Sequence, residues 1–126
     1  MRISVLILVI LALVACSSAP PSAKDLPPGD ASRGAQLFSQ SINGAPSCAS
    51  CHNLDNTVNT GPGMQGYGAR AGTRVPNVSA QDYTYQSIVQ PGAYIVPGFG
   101  NVMYDQFGQR LSPQQIADLM AFLLTE

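Results

Sequence analysis

The chain has 126 residues, which suits one small domain and excludes a multidomain enzyme. Six basic and seven acidic side chains leave a net charge of −1, so there is no basic excess to follow a phosphate backbone and no case for nucleic-acid binding. Twelve Gly and ten Pro reserve much of the chain for turns, and a domain this small needs a disulfide, a metal or a cofactor to supplement its core.

The first segment reads as an address. Arg2 gives a short positive end, and an unbroken apolar run follows from Val5 to Ala15. That run is too short for a comfortable membrane span and fits the hydrophobic region of an export signal. It ends Leu13-Val14-Ala15-Cys16-Ser17, which resembles the bacterial lipobox, in which cleavage precedes a Cys that is then diacylated. The alternative is an ordinary secretion signal with a chance Cys. The organisation expected is a lipoprotein signal over 1–15, a membrane tether over 16–29 and a folded domain over 30–126. The tether has prolines at 20, 21, 27 and 28 among Ser and Ala, a composition that favours extended and poorly packed chain. Acylated Cys16 would hold the chain to the lipid bilayer, on the outer face of a bacterial inner membrane.

A first helix is expected over Ala31–Ser41. Asp30 suits its N-cap, and Ala31, Gly34, Leu37 and Phe38 share one face. Gly34 is out of place there, since glycine costs about 1 kcal/mol against Ala inside a helix. A close helix crossing would justify it.

A helical turn is expected around Cys48 to Asn53, and it carries the chemistry. The stretch Cys48-Ala49-Ser50-Cys51-His52 is the C-x-x-C-H attachment site of a c-type haem. Each thiol adds across one vinyl group. The two-residue gap sets both sulfurs along one porphyrin edge, and His52, the chain's only histidine, reaches the iron from the same side. A redox dithiol would sit at a strand-to-helix junction, and no βαβ pattern is present. Structural zinc would need a fourth ligand.

Thr57 to Pro76 holds Gly61, Gly63, Gly66, Gly68 and Gly72, too many for regular structure, and reads as a loop wrapping something rigid. A middle helix is expected over Ala80–Val89, capped by Ser79, with Asp82 in its first turn and Pro91-Gly92 as its stop. The last helix starts at Ser112-Pro113, where Ser112 and Gln115 form a capping box. Ile116, Leu119, Met120, Leu123 and Leu124 give it a buried stripe, widened by Ala121 and Phe122.

From about Asp30 to Leu124 the chain resembles the class I mono-haem cytochromes c. The resemblance rests on the early C-x-x-C-H, one helix before it and two after it. It implies an all-α fold of three to four helices packed around one covalent haem c. It also implies that Gly34 and Phe38 mark a close crossing of the first and last helices, with Phe38 near Phe122. A second axial ligand would come from the loop before the last helix, where Met103 stands 51 residues after His52. Met64 is the alternative, and Met120 lies on the apolar stripe of the last helix. The family commonly has Pro after the ligand Met; here it is Tyr104. Gly61-Pro62 is similar to the family's Gly-Pro, whose proline carbonyl accepts a hydrogen bond from the proximal histidine. Arg70, Arg74, Tyr67 and Tyr94 are candidate partners for the haem propionates. Tyr67, Phe99 and Phe107 are candidate pocket walls.

A haem ligated on both faces has no open position, so the resemblance implies a one-electron carrier and not an enzyme. Its partners would be other redox proteins or a membrane electron-transfer complex. The stretch from Ser87 to Val96 is similar to cytochrome domains that serve respiratory oxidases. That leaves a tethered shuttle and a fixed subunit of a quinol-oxidising or terminal oxidase complex both open. A gas sensor or peroxidase would need a ligand that leaves easily, and a purely structural module would carry a haem that does not cycle.

Overall fold

The computed structural model describes residues 22–126. The signal read over 1–15 and Cys16 lie outside the described residues. The elements run a 3-10 turn (Ala23–Asp25), α1 (Ala31–Phe38), a 3-10 turn (Cys48–Ser50), α2 (Tyr67–Ala71), α3 (Ala80–Val89), a 3-10 turn (Pro91–Ala93), α4 (Phe107–Arg110) and α5 (Pro113–Leu123). Among the described residues there is no strand, only an isolated bridge between Ile42 and Ala45.

The three longer helices are capped as their sequences demand. The Asp30 carboxylate accepts from the Arg33 N–H at 2.9 Å. Ser79 accepts from Asp82, and Ser112 accepts from Gln115 while the Gln115 side chain returns to the Ser112 N–H. Each cap satisfies donors that the first helical turn leaves open.

α1 and α5 cross in contact, and this crossing is the spine of the domain. A Cβ on Gly34 would stand 2.7 Å from both the Asp118 carbonyl carbon and the Phe122 Cβ. No side chain fits between these backbones, which explains a glycine in mid-helix. One turn on, the rings of Phe38 and Phe122 meet edge to face at 5.6 Å. Asp118, only 2% exposed, pins the same crossing. Its carboxylate accepts from the Asp30 N–H at 2.8 Å, from Arg33 Nε at 2.8 Å and from Gln114 Nε2 at 2.9 Å. The Arg33 hydrogen bonds are the main reason its pKa is held down, to about 2, against the opposing effect of burial.

Several expectations need correction. α1 stops at Phe38 and not at Ser41, because the Ser39 N–H turns back to Gln36 and Leu37 and the chain enters a tight turn. That turn is Ile42-Asn43-Gly44-Ala45, with φ of 50° at Asn43 and 82° at Gly44. Two left-handed residues in a two-residue turn suit Asn-Gly well. The helical turn expected over Cys48 to Asn53 is shorter, three residues long. The glycine-rich stretch from Thr57 to Pro76 is not wholly irregular, since it contains α2. Gly66 starts that helix at φ 69°, and Gly68 lets it approach the end of α5, where its N–H donates to the Glu126 carbonyl at 3.0 Å. α4 is a further single turn that the sequence reading did not anticipate.

The stretch 22–29, read as the end of a loose tether, is packed on the domain in this structure. A 3-10 turn at Ala23–Asp25 lies against α3. Ala23 and Leu26 pack against the core, and the Pro28 carbonyl accepts from Gln114 Nε2 at 2.8 Å. Apolar Ala23 and Leu26 among the prolines are the residues that draw the segment in.

Candidate functional site

The three main helices and the long loops enclose a cleft of about 1360 Å³, part of it open to solvent. Its inner walls are apolar, from Phe38, Ile88, Phe107, Leu119 and Leu123. Cys48, Cys51, His52, Pro62, Tyr67, Arg70, Arg74, Tyr94 and Met103 all line it. The sequence-derived site residues are therefore gathered in one place, from segments more than fifty positions apart in the chain.

The histidine is held by its neighbours. Its Nδ1 lies 2.9 Å from the Pro62 carbonyl. A carbonyl oxygen only accepts, so Nδ1 carries the proton, and the lone pair is left on Nε2 as a metal ligand requires. Gly61 makes room for this. A Cβ there would stand 2.7 Å from Nδ1 and 2.9 Å from Nε2 of the ring. The Gly61 N–H also donates to the Cys51 carbonyl at 2.8 Å, tying the Gly61-Pro62 segment to the attachment motif. The Gly61-Pro62 pair was legible in the sequence, but the reason for its glycine was not.

Before haem attachment the two cysteines are thiols not joined in a disulfide, both partly buried. Burial pushes the Cys48 thiol up to about 11, which keeps it protonated near neutral pH. No Asp or Glu lines the cleft, while two arginines do. A cleft with this charge takes an anionic ligand. Two thiols, a histidine with a free Nε2, apolar walls and two cations against no acid fit a haem with its two propionates.

The polar candidates are not equivalent. Arg70 donates to the Gln65 carbonyl and, at 3.2 Å, to the Gly63 carbonyl, so its guanidinium braces the glycine-rich loop. Arg74 lines the cleft and, among the described residues, has no side-chain hydrogen bond or ion pair. Tyr67, offered as a propionate donor, gives its hydroxyl to Thr84 Oγ1 at 3.0 Å, and Thr84 passes on to the Ala80 carbonyl at 2.7 Å. Thr84 is fully buried, so that acceptor has no water to compete for it. Burial pushes the Tyr67 phenol up to about 12. Tyr94 is half-buried and meets Tyr83 edge to face at 5.9 Å. The Tyr104 hydroxyl points to Gln106 at 3.4 Å, and its ring packs on Phe107.

Of the three methionines of the domain, one stands apart from the cleft. Met120 is buried in the α5 core and lines no part of the cleft. Met64 and Met103 both line it, Met64 6% exposed and Met103 half-buried. Phe99 and Phe107 also line the cleft, and Ile95 and Val102 stand at it 39% and 67% exposed.

This geometry defines a class: a helical domain built around a porphyrin that its own cysteines attach. The family model described as cytochrome c matches residues 31–126, and the chain belongs to that family. Its cofactor is covalent haem c, and it is an electron-transfer protein whose partners are other redox proteins. No curated protein matches the chain closely enough to count as a relative.

Proposed function

We propose that the protein is a one-electron carrier with His52 and Met103 as axial ligands, tethered through acylated Cys16 to the outer face of a bacterial inner membrane. The observation that carries the ligation is the His52–Pro62 hydrogen bond at 2.9 Å. It fixes the ring's orientation and tautomer, and it makes Nε2 more electron-rich. Met103 enters the same cleft from the loop between α3 and α4. Haem c, once attached, supplies a one-electron couple, and a thioether axial ligand raises its potential. The protein's part is to hold and to seal. Phe38, Ile88, Leu119 and Leu123 keep water from the inner wall, and the α1–α5 crossing keeps that wall rigid. Arg74, without a side-chain partner among the described residues, would pair with a propionate. With both axial positions filled by side chains, neither oxygen nor peroxide gains ready access.

The membrane part of the reading rests on the sequence Leu13-Val14-Ala15-Cys16 alone. Two acyl chains give stable attachment where one does not.

The test of ligation is the weak sulfur-to-iron charge-transfer band of the ferric protein. Met103→Ala should abolish it and Met64→Leu should leave it in place. The opposite result would move the ligand to Met64. Sequencing the N-terminus of the mature protein tests the anchor: a blocked, acylated Cys16 is expected, and a free N-terminus at any other residue overturns it.

A further inference from the structure

The segment before α1 is too well held to be a passive link. Gly29 rests on α5, where a Cβ would stand 2.7 Å from the Ala117 carbonyl carbon and 3.0 Å from the Ala121 Cβ. Pro28 is bonded to Gln114, the Asp30 N–H to Asp118, and Ala23 and Leu26 pack on the core. On α5 the residues that meet this segment are Gln114, Ala117, Asp118 and Ala121, whereas those that line the cleft are Leu119 and Leu123. At 100° per residue the centres of these two sets lie on opposite sides of the helix. The 3-10 turn at Ala23–Asp25 continues onto α3, whose cleft-lining residues are Tyr83, Thr84, Ser87 and Ile88.

The cleft side has a second property. No charged residue occurs between Asp82 and Asp105, a stretch that supplies most of the exposed rim, including Ile95 and Val102. An uncharged rim gives no electrostatic steering and suits a partner surface of the same kind.

We propose that Ser22–Gly29 is an orienting strap. It fixes the chain's exit from the domain on the side away from the cleft. A domain held to a membrane through Cys16 then turns its uncharged rim away from the lipid, toward a redox protein that stands above the bilayer and docks through an uncharged apolar surface. The inference rests on the anchoring reading given above. Chain length sharpens it. With the strap docked, only Ser17 to Pro21 separate Cys16 from Ser22, a span of at most about 20 Å. So short a link leaves the domain little freedom to turn over.

The experiment uses the full acylated holoprotein in vesicles that carry a nickel-chelating headgroup lipid. Cys16 is then acylated and Cys48 and Cys51 are thioether-linked, so a new cysteine is the free thiol. A nitroxide is placed at Lys24→Cys on the strap or at Val102→Cys on the rim, and relaxation by the lipid-borne nickel is read with the haem ferrous and diamagnetic. The strap label should relax several-fold more strongly than the rim label. Loosening the strap with Leu26→Asp, or more mildly with Gln114→Ala, should raise relaxation of the rim label toward that of the strap label. The visible haem spectrum shows that each variant is folded. Equal relaxation of the two labels in the unloosened chain overturns the orientation. An unchanged rim label in both loosened variants overturns the strap as its cause. Failure of the protein to float with the vesicles overturns the anchoring reading instead.

Discussion

Asp118 offers the sharpest quantitative test of how the domain is held together. Its carboxylate joins the start of α1, the Arg33 guanidinium and the Gln114 amide on α5. Asp118→Ala removes an acceptor from all three. Arg33, 54% exposed, recovers water, so most of the loss falls on the half-buried Asp30 N–H and on the missing charge. Hydrogen bonds to a charged group are worth about 1.5–3 kcal/mol net, so the variant should lose about 3 kcal/mol. The pH dependence is more specific. Folding lowers the carboxyl pKa from its ordinary 3.8 to about 2. Its pKa is depressed by folding, so its contribution is complete above pH 4 and is lost as pH falls toward 2. Solvent screening at the exposed guanidinium reduces that contribution to about 1–2 kcal/mol. Asp118→Asn keeps the shape without the charge. Denaturant midpoints of the holoprotein, taken from pH 6 to pH 2, should show a gap between the native protein and Asp118→Asn that closes between pH 4 and pH 2. A gap that stays constant over this range would refute the reasoning.

Gly34→Ala sets two effects against each other. Helix propensity favours Ala by about 1 kcal/mol, but the new methyl would meet α5 backbone, and overpacking of this kind costs about 1–3 kcal/mol or more. The clash should win, so thermal unfolding should come earlier; a rise in Tm would show that the helices part freely. Gly61→Ala should push the His52 ring off Pro62. The nuclear resonance of the His52 Nδ1 proton should then shift and the reduction potential change, while a variant with both unchanged would contradict the role given to this glycine.

The parts of the molecule that sequence could reveal are those fixed by local chemistry. Ser79 and Ser112 mark helix starts because a cap acts over three residues, and α3 runs over the residues its pattern implies. The attachment motif is local too. Gly34 could be read because a glycine in a helix has to have a reason, and Phe38 one turn later indicated what the reason was. The turn at Asn43-Gly44 follows the end of α1, and the helix range expected from the sequence did not take it into account. What sequence did not reveal depends on distant partners. The 3-10 turn at Ala23–Asp25 forms because Ala23 and Leu26 pack on the core and the turn lies against α3, and a composition rich in proline hides that. α2 forms among glycines because Gly68 fits beneath the end of α5. Tyr67 and Arg70 sit in the cleft as expected, yet Thr84 and the loop carbonyls claim their donors. Asp118 looked like one more charge on a helix, and only the fold brings Arg33, Asp30 and Gln114 to it.

The proposed carrier has no free position on its iron. Carbon monoxide added to the reduced protein at neutral pH tests this most directly. The visible spectrum should remain that of a six-coordinate ferrous haem, and Met103→Ala should bind the gas at once. Rapid binding by the unaltered protein would show that the sixth position is open, and the protein would then have to be read as a sensor or an enzyme.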